Sequence, residues 1–187
     1  VAKFGGSKGS EAAVAMALQW LAEHQNPNGS WSFDHTIGAC QGRCGDKGMA
    51  NAVNGATAMA LLPFLGAGQT HKEGKYKKNV QAGLYFLMSS MKANGDLSDP
   101  GGNMYSHGLC AITLCEAFAM TQDKGLRLPA QASLNYIIYA QDPVGGGWRY
   151  KARQPGDTSV VGWQLMALKS GHLAYLQVPP GTIKGAY

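Results

Sequence analysis

Leu18-Gln19-Trp20-Leu21 leads to Gln25 and then to Gly29-Ser30-Trp31, and the chain writes this pattern three times. Leu84-Tyr85-Phe86-Leu87, Met91 and Gly95-Asp96-Leu97 form the second copy. Leu134-Asn135-Tyr136-Ile137, Gln141 and Gly146-Gly147-Trp148 form the third. Each copy is an apolar helical stretch, a Gln or Met, and a glycine turn closed by Trp or Leu. A second apolar segment follows each, with a glycine near its start at Gly55, Gly108 and Gly162, at separations of 53 and 54 residues. A recurrence of that length marks a helical-hairpin repeat, because a lone hairpin cannot bury its own apolar face and must stack on a neighbour. The expected fold is all-α, one domain over residues 1–187 with repeats at about 10–66, 76–121 and 129–172 and a fourth opening from about 173.

Composition agrees with such a stack. Charged residues are 14% of the 187, while small and apolar residues abound, as close helix packing requires. The net charge of +5 is modest, and much of it lies in His71-Lys72-Glu73-Gly74-Lys75-Tyr76-Lys77-Lys78, read as the solvated start of a helix. No arginine-rich or aromatic recognition pattern accompanies it, so nucleic acid is not an expected partner. Apolar runs are broken well short of the ~20 residues that span a bilayer. The first residue is Val1 rather than methionine, which suggests a processed or excised piece.

Six helices are expected. The first of each hairpin is amphipathic: Val14, Leu18 and Leu21 mark one face of about 10–25, Val80, Leu84, Leu87, Met88 and Met91 one face of about 76–92. Ala130, Leu134, Ile137 and Ile138 do the same over about 129–141. The second members, about 51–66, 104–121 and 158–171, are apolar or small nearly all round, which predicts burial on most sides. Ser10, Asn51 and Asp157-Thr158 are the expected caps, and Pro129 an expected first-turn residue. Three helix glycines at about 1 kcal/mol each need a compensating gain, for which close approach of inner and outer helices is the first reading and frayed first turns the second.

The order of outer helix, Gln25…Gly29-Ser30-Trp31 or Gln141…Gly147-Trp148, glycine-rich loop and inner helix resembles the repeat of squalene–hopene cyclases and, more distantly, of protein prenyltransferase β subunits, over roughly residues 10–172. The resemblance implies an α/α toroid, with three hairpins forming about half of a ring and inner helices lining a cavity. It also implies a bracing role for Gln25, Trp31, Gln141 and Trp148. The cyclases carry their proton donor in Asp-x-Asp-Asp-Thr; here the matching stretch is Gln154-Pro155-Gly156-Asp157-Thr158, with Gly156 at the donor position. Asp157 is therefore expected to cap a helix. Gln41-Gly42-Arg43-Cys44 followed by Leu61-Leu62-Pro63 resembles a prenyltransferase stretch, but its Asp-x-Cys zinc pair would fall on Asn51 and Val53, leaving His107 as one zinc ligand of three. No catalytic residue, metal ligand set or cofactor is carried over. Arg43, Lys47, His107 and Asp157 stand as candidate ligand-binding residues, against the plainer readings of loop solvation, a satisfied imidazole and a cap.

The first hairpin has the longest connection, 24 residues from Trp31 to Gly55 against 11 from Leu97 to Gly108 and 14 from Trp148 to Gly162. It holds Cys40-Gln41-Gly42-Arg43-Cys44. Three readings apply: a disulfide worth roughly 2 kcal/mol, half of a metal site completed by His35, Asp46 or His71, or free thiols. The disulfide comes first, and would be compatible with export. Cys110 and Cys115 read as packing residues.

Function follows as an expectation. The leading reading is a cyclase-like repeat domain without intact catalysis, a scaffold or binder of an apolar small molecule or protein segment. The alternative is part of a terpenoid cyclase or prenyltransferase-type enzyme completed by further sequence, and a minor third reading is a metal-dependent activity at His35, Cys40 and Cys44. Apolar edges at Val14, Ala17 and Leu18 and at Leu165, Leu168 and Leu173 predict self-association or completion of the ring.

Overall fold

The computed structural model describes residues 6–100 and 103–186, and among these every regular element is helical. The helices are α1 (Lys8–Glu23), α2 (Val53–Gly66), α3 (Lys77–Ser90), α4 (Met104–Thr121), α5 (Lys124–Ala140), α6 (Thr158–Leu173) and the short α7 (Pro180–Lys184), with one 3-10 turn at Gly38–Cys40. The protein is thus all-α, with the six expected helices and one more.

Local chemistry explains where they begin. Ser7, not Ser10, caps α1, and Ser10 answers it in a reciprocal box. Asn51 caps nothing: the Asp99 carboxylate, 45 residues away, accepts from the Asn54 and Gly55 N–H groups at 2.8 and 3.2 Å and closes the start of α2. Asp123 accepts from Gly125 N–H at 2.9 Å, so α5 begins at Lys124 and Pro129 lies inside it rather than in its first turn. Asp157 caps α6 through Ser159 N–H, as read from the sequence.

The core centres on α4, which packs on α2, α5 and α6, while α2 also packs on α3 and α1 touches α2 lightly. Burial follows this order. Residues of α2 and α4 are buried nearly all round, whereas α6 leaves Gly162, Met166 and Leu173 exposed, with no helix over that side among the described residues. On α1 the expected stripe is reduced to Leu18; Val14 is 50% exposed and Leu21 half-buried. The predicted apolar edges change accordingly. Leu18 and Leu168 are buried, and the exposed apolar residues there include Val14, Met16 and Trp20 on α1 and Met166, Leu173 and Tyr175 on or just after α6.

The glycine expectation needs a correction. A Cβ at Gly55 would come within 3.0 Å of Ser106 Oγ, and one at Gly108 within 2.7 Å of Gln164 Nε2. These glycines bring α2 onto α4 and α4 onto α6, second helix on second helix, not inner on outer. Gly162 meets nothing, since it faces outward. First and second helices meet closely elsewhere: α3 lies on α2, the helix before it, at Gly83, against Leu61 and Trp31, and α6 lies on α5 at Gly171, against Leu134.

The glycine turns are clasps onto the next helix. Gly29, Gly95 and Gly146 have φ of +89°, +88° and +72°, and a Cβ on them would collide with the carbonyls of Ala82, Ala132 and Gly185. Gln25 Nε2 donates to Gly29 O and to Asn79 O, both at 2.9 Å, tying its turn to α3. Gln141 Nε2 does the same to Gly146 O and Thr182 O, at 2.7 and 2.8 Å, tying its turn to α7. Trp31 Nε1 donates to Leu21 O and Trp148 Nε1 to Ile137 O, each anchoring the turn to its own preceding helix.

Candidate functional site

A mostly apolar recess lies between the end of α1, the loop after Trp31 and one face of α2. It encloses about 260 Å³ and is lined by Trp20, Leu21, Trp31, Phe33, Met59 and Pro63. His24 and His35 complete its rim. It exists because α1 packs so lightly on α2 that the long connection, rather than another helix, fills the space beside them.

Behind His24 the connection folds its two cysteines inward. Cys40 ends the 3-10 turn and is buried; Gln41 and Gly42, at φ of 53° and 74°, reverse the chain and return Cys44 to it. The Cys44 N–H donates to Cys40 Sγ at 3.2 Å, and Cys44 Sγ lies 3.4 Å from His24 Nε2. The three ligand-type atoms all fall within 4.8 Å of one another. His24 is held by its other nitrogen, Nδ1, at 2.6 Å from Trp20 O, and stacks on the Trp20 ring at 3.8 Å. Burial opposes a thiolate at Cys40, but the N–H and thiol of Cys44 and the Arg43 N–H and guanidinium outweigh it and hold its pKa below the ordinary thiol range. All four cysteines are free in this structure, and Cys40 and Cys44 meet through the Cys44 N–H, with the His24 imidazole beside Cys44. Cys110 and Cys115 are buried in α4 with pKa values pushed up, that of Cys115 to about 12, as packing residues require.

The candidate ligand-binding residues each have other work. Arg43 folds back on its loop, donating to Cys40 O at 2.9 Å and Ala39 O at 3.2 Å. Lys47 pairs with Asp34 at 3.4 Å on the surface. His107 is fully buried; its Nδ1 accepts from Leu97 N–H at 3.1 Å and its Nε2 lies 3.0 Å from Ser133 O. Burial lowers its pKa to about 4 and Lys92 assists, although Ser133 O and Asp96 favour the charged ring, so it is neutral near pH 7. Asp157 accepts from the Ser159 hydroxyl and N–H, which hold its carboxyl below the usual range and leave it ionised. The metal-ligand set expected around Cys40 also changes. His35 Nε2 is occupied at 2.9 Å from Gly45 O, His71 Nε2 at 2.8 Å from Asp123, and the residue that reaches the thiols is His24.

His24 lies outside the Cys40–Cys44 connection, so the spacing of that loop does not point to it. The signal was a histidine at the end of an amphipathic helix, 16 and 20 residues before Cys40 and Cys44. Comparison of this sequence with known protein families, and with curated proteins, returns no match.

Proposed function

We propose that this chain is a helical-hairpin repeat domain of the squalene–hopene cyclase-like kind, about half of an α/α toroid, that binds an apolar group without catalysing a reaction. The observation that carries this reading is the recess of about 260 Å³ lined by Trp20, Trp31, Phe33 and Met59. The repeat order is supported by the matching clasps of Gln25 on α3 and Gln141 on α7, which give α7 the place of a fourth outer helix. The ring would be completed by further hairpins or by a second copy, with Val14 and Met16 at one open end and Leu173 and Tyr175 at the other.

Magnitudes narrow the occupant. The recess of about 260 Å³ is open to solvent and falls short of the ~300–1,000 Å³ that sites for drug-sized molecules occupy. A bulky apolar side chain presented by a protein segment, whose remaining contacts add to this anchor, is the better fit.

The enzyme alternative is less well supported. Protonation of an alkene needs a carboxylic acid kept neutral, and Gly156 stands at that position beside an ionised, capping Asp157. With squalene, oxidosqualene or a prenyl diphosphate the protein should give no product. The binding claim is tested by titrating peptides carrying a single Phe, Trp or Leu and following tryptophan fluorescence. Saturable binding that Met59→Trp weakens supports the recess as the site. Unchanged binding in that variant, or turnover of any terpenoid abolished by Asp157→Asn, overturns the reading.

A further inference from the structure

We infer that His24, Cys40 and Cys44 form a zinc site, with Nε2 and two thiolates as ligands. The inference does not depend on the apolar-binding reading, although His24 borders both features.

Three observations converge. First, the distances are those of a site one small adjustment from closure. With Zn–S of about 2.3 Å and Zn–N of about 2.0–2.1 Å, neighbouring ligands of a tetrahedral ion stand about 3.6–3.8 Å apart. Cys44 Sγ and His24 Nε2 are 3.4 Å apart, and no pair in the cluster exceeds 4.8 Å. The chain that must move carries Gly42 and Gly45, neither of which meets anything within 4 Å of a Cβ position.

Second, His24 is oriented as a ligand. A metal-binding imidazole commonly donates its other N–H to a carbonyl or carboxylate, which fixes the tautomer and leaves the free lone pair aimed at the ion. Here Nδ1 lies 2.6 Å from Trp20 O, so the proton resides on Nδ1 and the lone pair of Nε2 faces Cys44 Sγ. Stacking on Trp20 at 3.8 Å holds the ring in that plane.

Third, Cys40 Sγ receives the Cys44 N–H at 3.2 Å, an arrangement that supports negative charge on sulfur. Two thiolates and one imidazole are a borderline-soft donor set that suits zinc over magnesium or calcium. Binding releases the two thiol protons to solvent, and the fourth position is left for water or for a group entering the adjoining recess. A disulfide would use both sulfurs and leave the alignment of His24 without a purpose.

The test is reconstitution of the reduced, chelator-treated protein with zinc and, as a chromophoric substitute, with cobalt(II). The site predicts about one metal ion per chain, an intense thiolate-to-cobalt charge-transfer band and tetrahedral cobalt absorption in the visible. It also predicts that zinc shields Cys40 and Cys44 from alkylation, while buried Cys110 and Cys115 stay unlabelled in either state. Cys40→Ser and Cys44→Ser should abolish the charge-transfer band of two thiolates, and His24→Ala should weaken binding at least about tenfold. Cys115→Ser should leave the stoichiometry unchanged, with far-UV dichroism showing that each variant stays helical. No thiolate-to-cobalt band in the wild-type protein, or full zinc affinity in Cys44→Ser or His24→Ala, would overturn the site, whatever the outcome of peptide binding.

Discussion

The turns at 25–31 and 141–148 hold their neighbours in one way, and the turn at 91–97 does so in another. In the first and third turns a glutamine spans from its own turn to α3 or α7, and a buried tryptophan locks back onto the preceding helix. In the middle, Met91 and Leu97 can offer neither bond. The Lys92–Asp96 pair closes that turn at 2.6 Å, the Leu97 N–H is taken by His107, and Asp99 runs on to cap α2. The backbone clasp survives in all three, with Gly95 pressed on Ala132 as Gly29 is on Ala82. The three turns therefore share a shape, a left-handed glycine tucked against a later part of the chain, while the surrounding chemistry differs. Where the polar brace is missing from the surface, buried polar groups of α4 and α2 replace it.

The largest effect that would probe this contrast is truncation of the aromatic lock. Trp148 is fully buried, and Trp148→Ala should cost about 3–5 kcal/mol in urea unfolding, with Leu97→Ala costing less. Equal or greater loss at Leu97 would make the middle turn the main clasp.

The polar replacement in the middle carries its own signature, a dependence on pH. His107 has a folded pKa of about 4 against about 6.5 unfolded, so the unfolded chain binds the extra proton between these values. Stability should be complete above about pH 6.5 and fall by about 3 kcal/mol as pH drops towards 4. Unfolding midpoints at several pH values would check this, and His107→Phe should flatten the slope in that window. An unchanged slope in the variant would take His107 out of the account.

Smaller changes separate the glycines. Gly29→Ala and Gly146→Ala must place a Cβ at positive φ against a backbone carbonyl and should cost about 1–3 kcal/mol each. Gly162→Ala, on an open face of a helix, should instead stabilise by up to about 1 kcal/mol. Thermal melts of the three variants decide it; a loss at Gly162 would mean that its face is covered in solution.

Much of this could be read from residues alone. Period and amphipathicity place the helices, whereas a bracing role for the Gln and Trp of the first and third turns is what the resemblance implies; the glutamines reach α3 and α7, and the tryptophans bond back to their own preceding helices. What escaped were contacts between residues distant in sequence. Nothing near Val53 signals that Asp99 will cap α2, nothing near Pro129 outweighs its preference for a first turn until Asp123 is seen to cap, and nothing in the Cys40 loop points back to His24. Gly162 shows the converse. Its local sequence matches Gly55 and Gly108, but among the described residues nothing lies within 4 Å of a Cβ there, and only the packing of the helices reveals that.

That packing order is the central claim: α4 packs on both α2 and α6, while α1 is lightly held on α2. Native-state hydrogen exchange, resolved by residue, tests it most directly. Amides of α4 should exchange only through global unfolding, while those of α1 exchange through a local opening of lower free energy and weaker denaturant dependence. If α1 and α4 exchange with the same free energy and the same denaturant dependence, the chain opens as one unit and the order of stability is wrong.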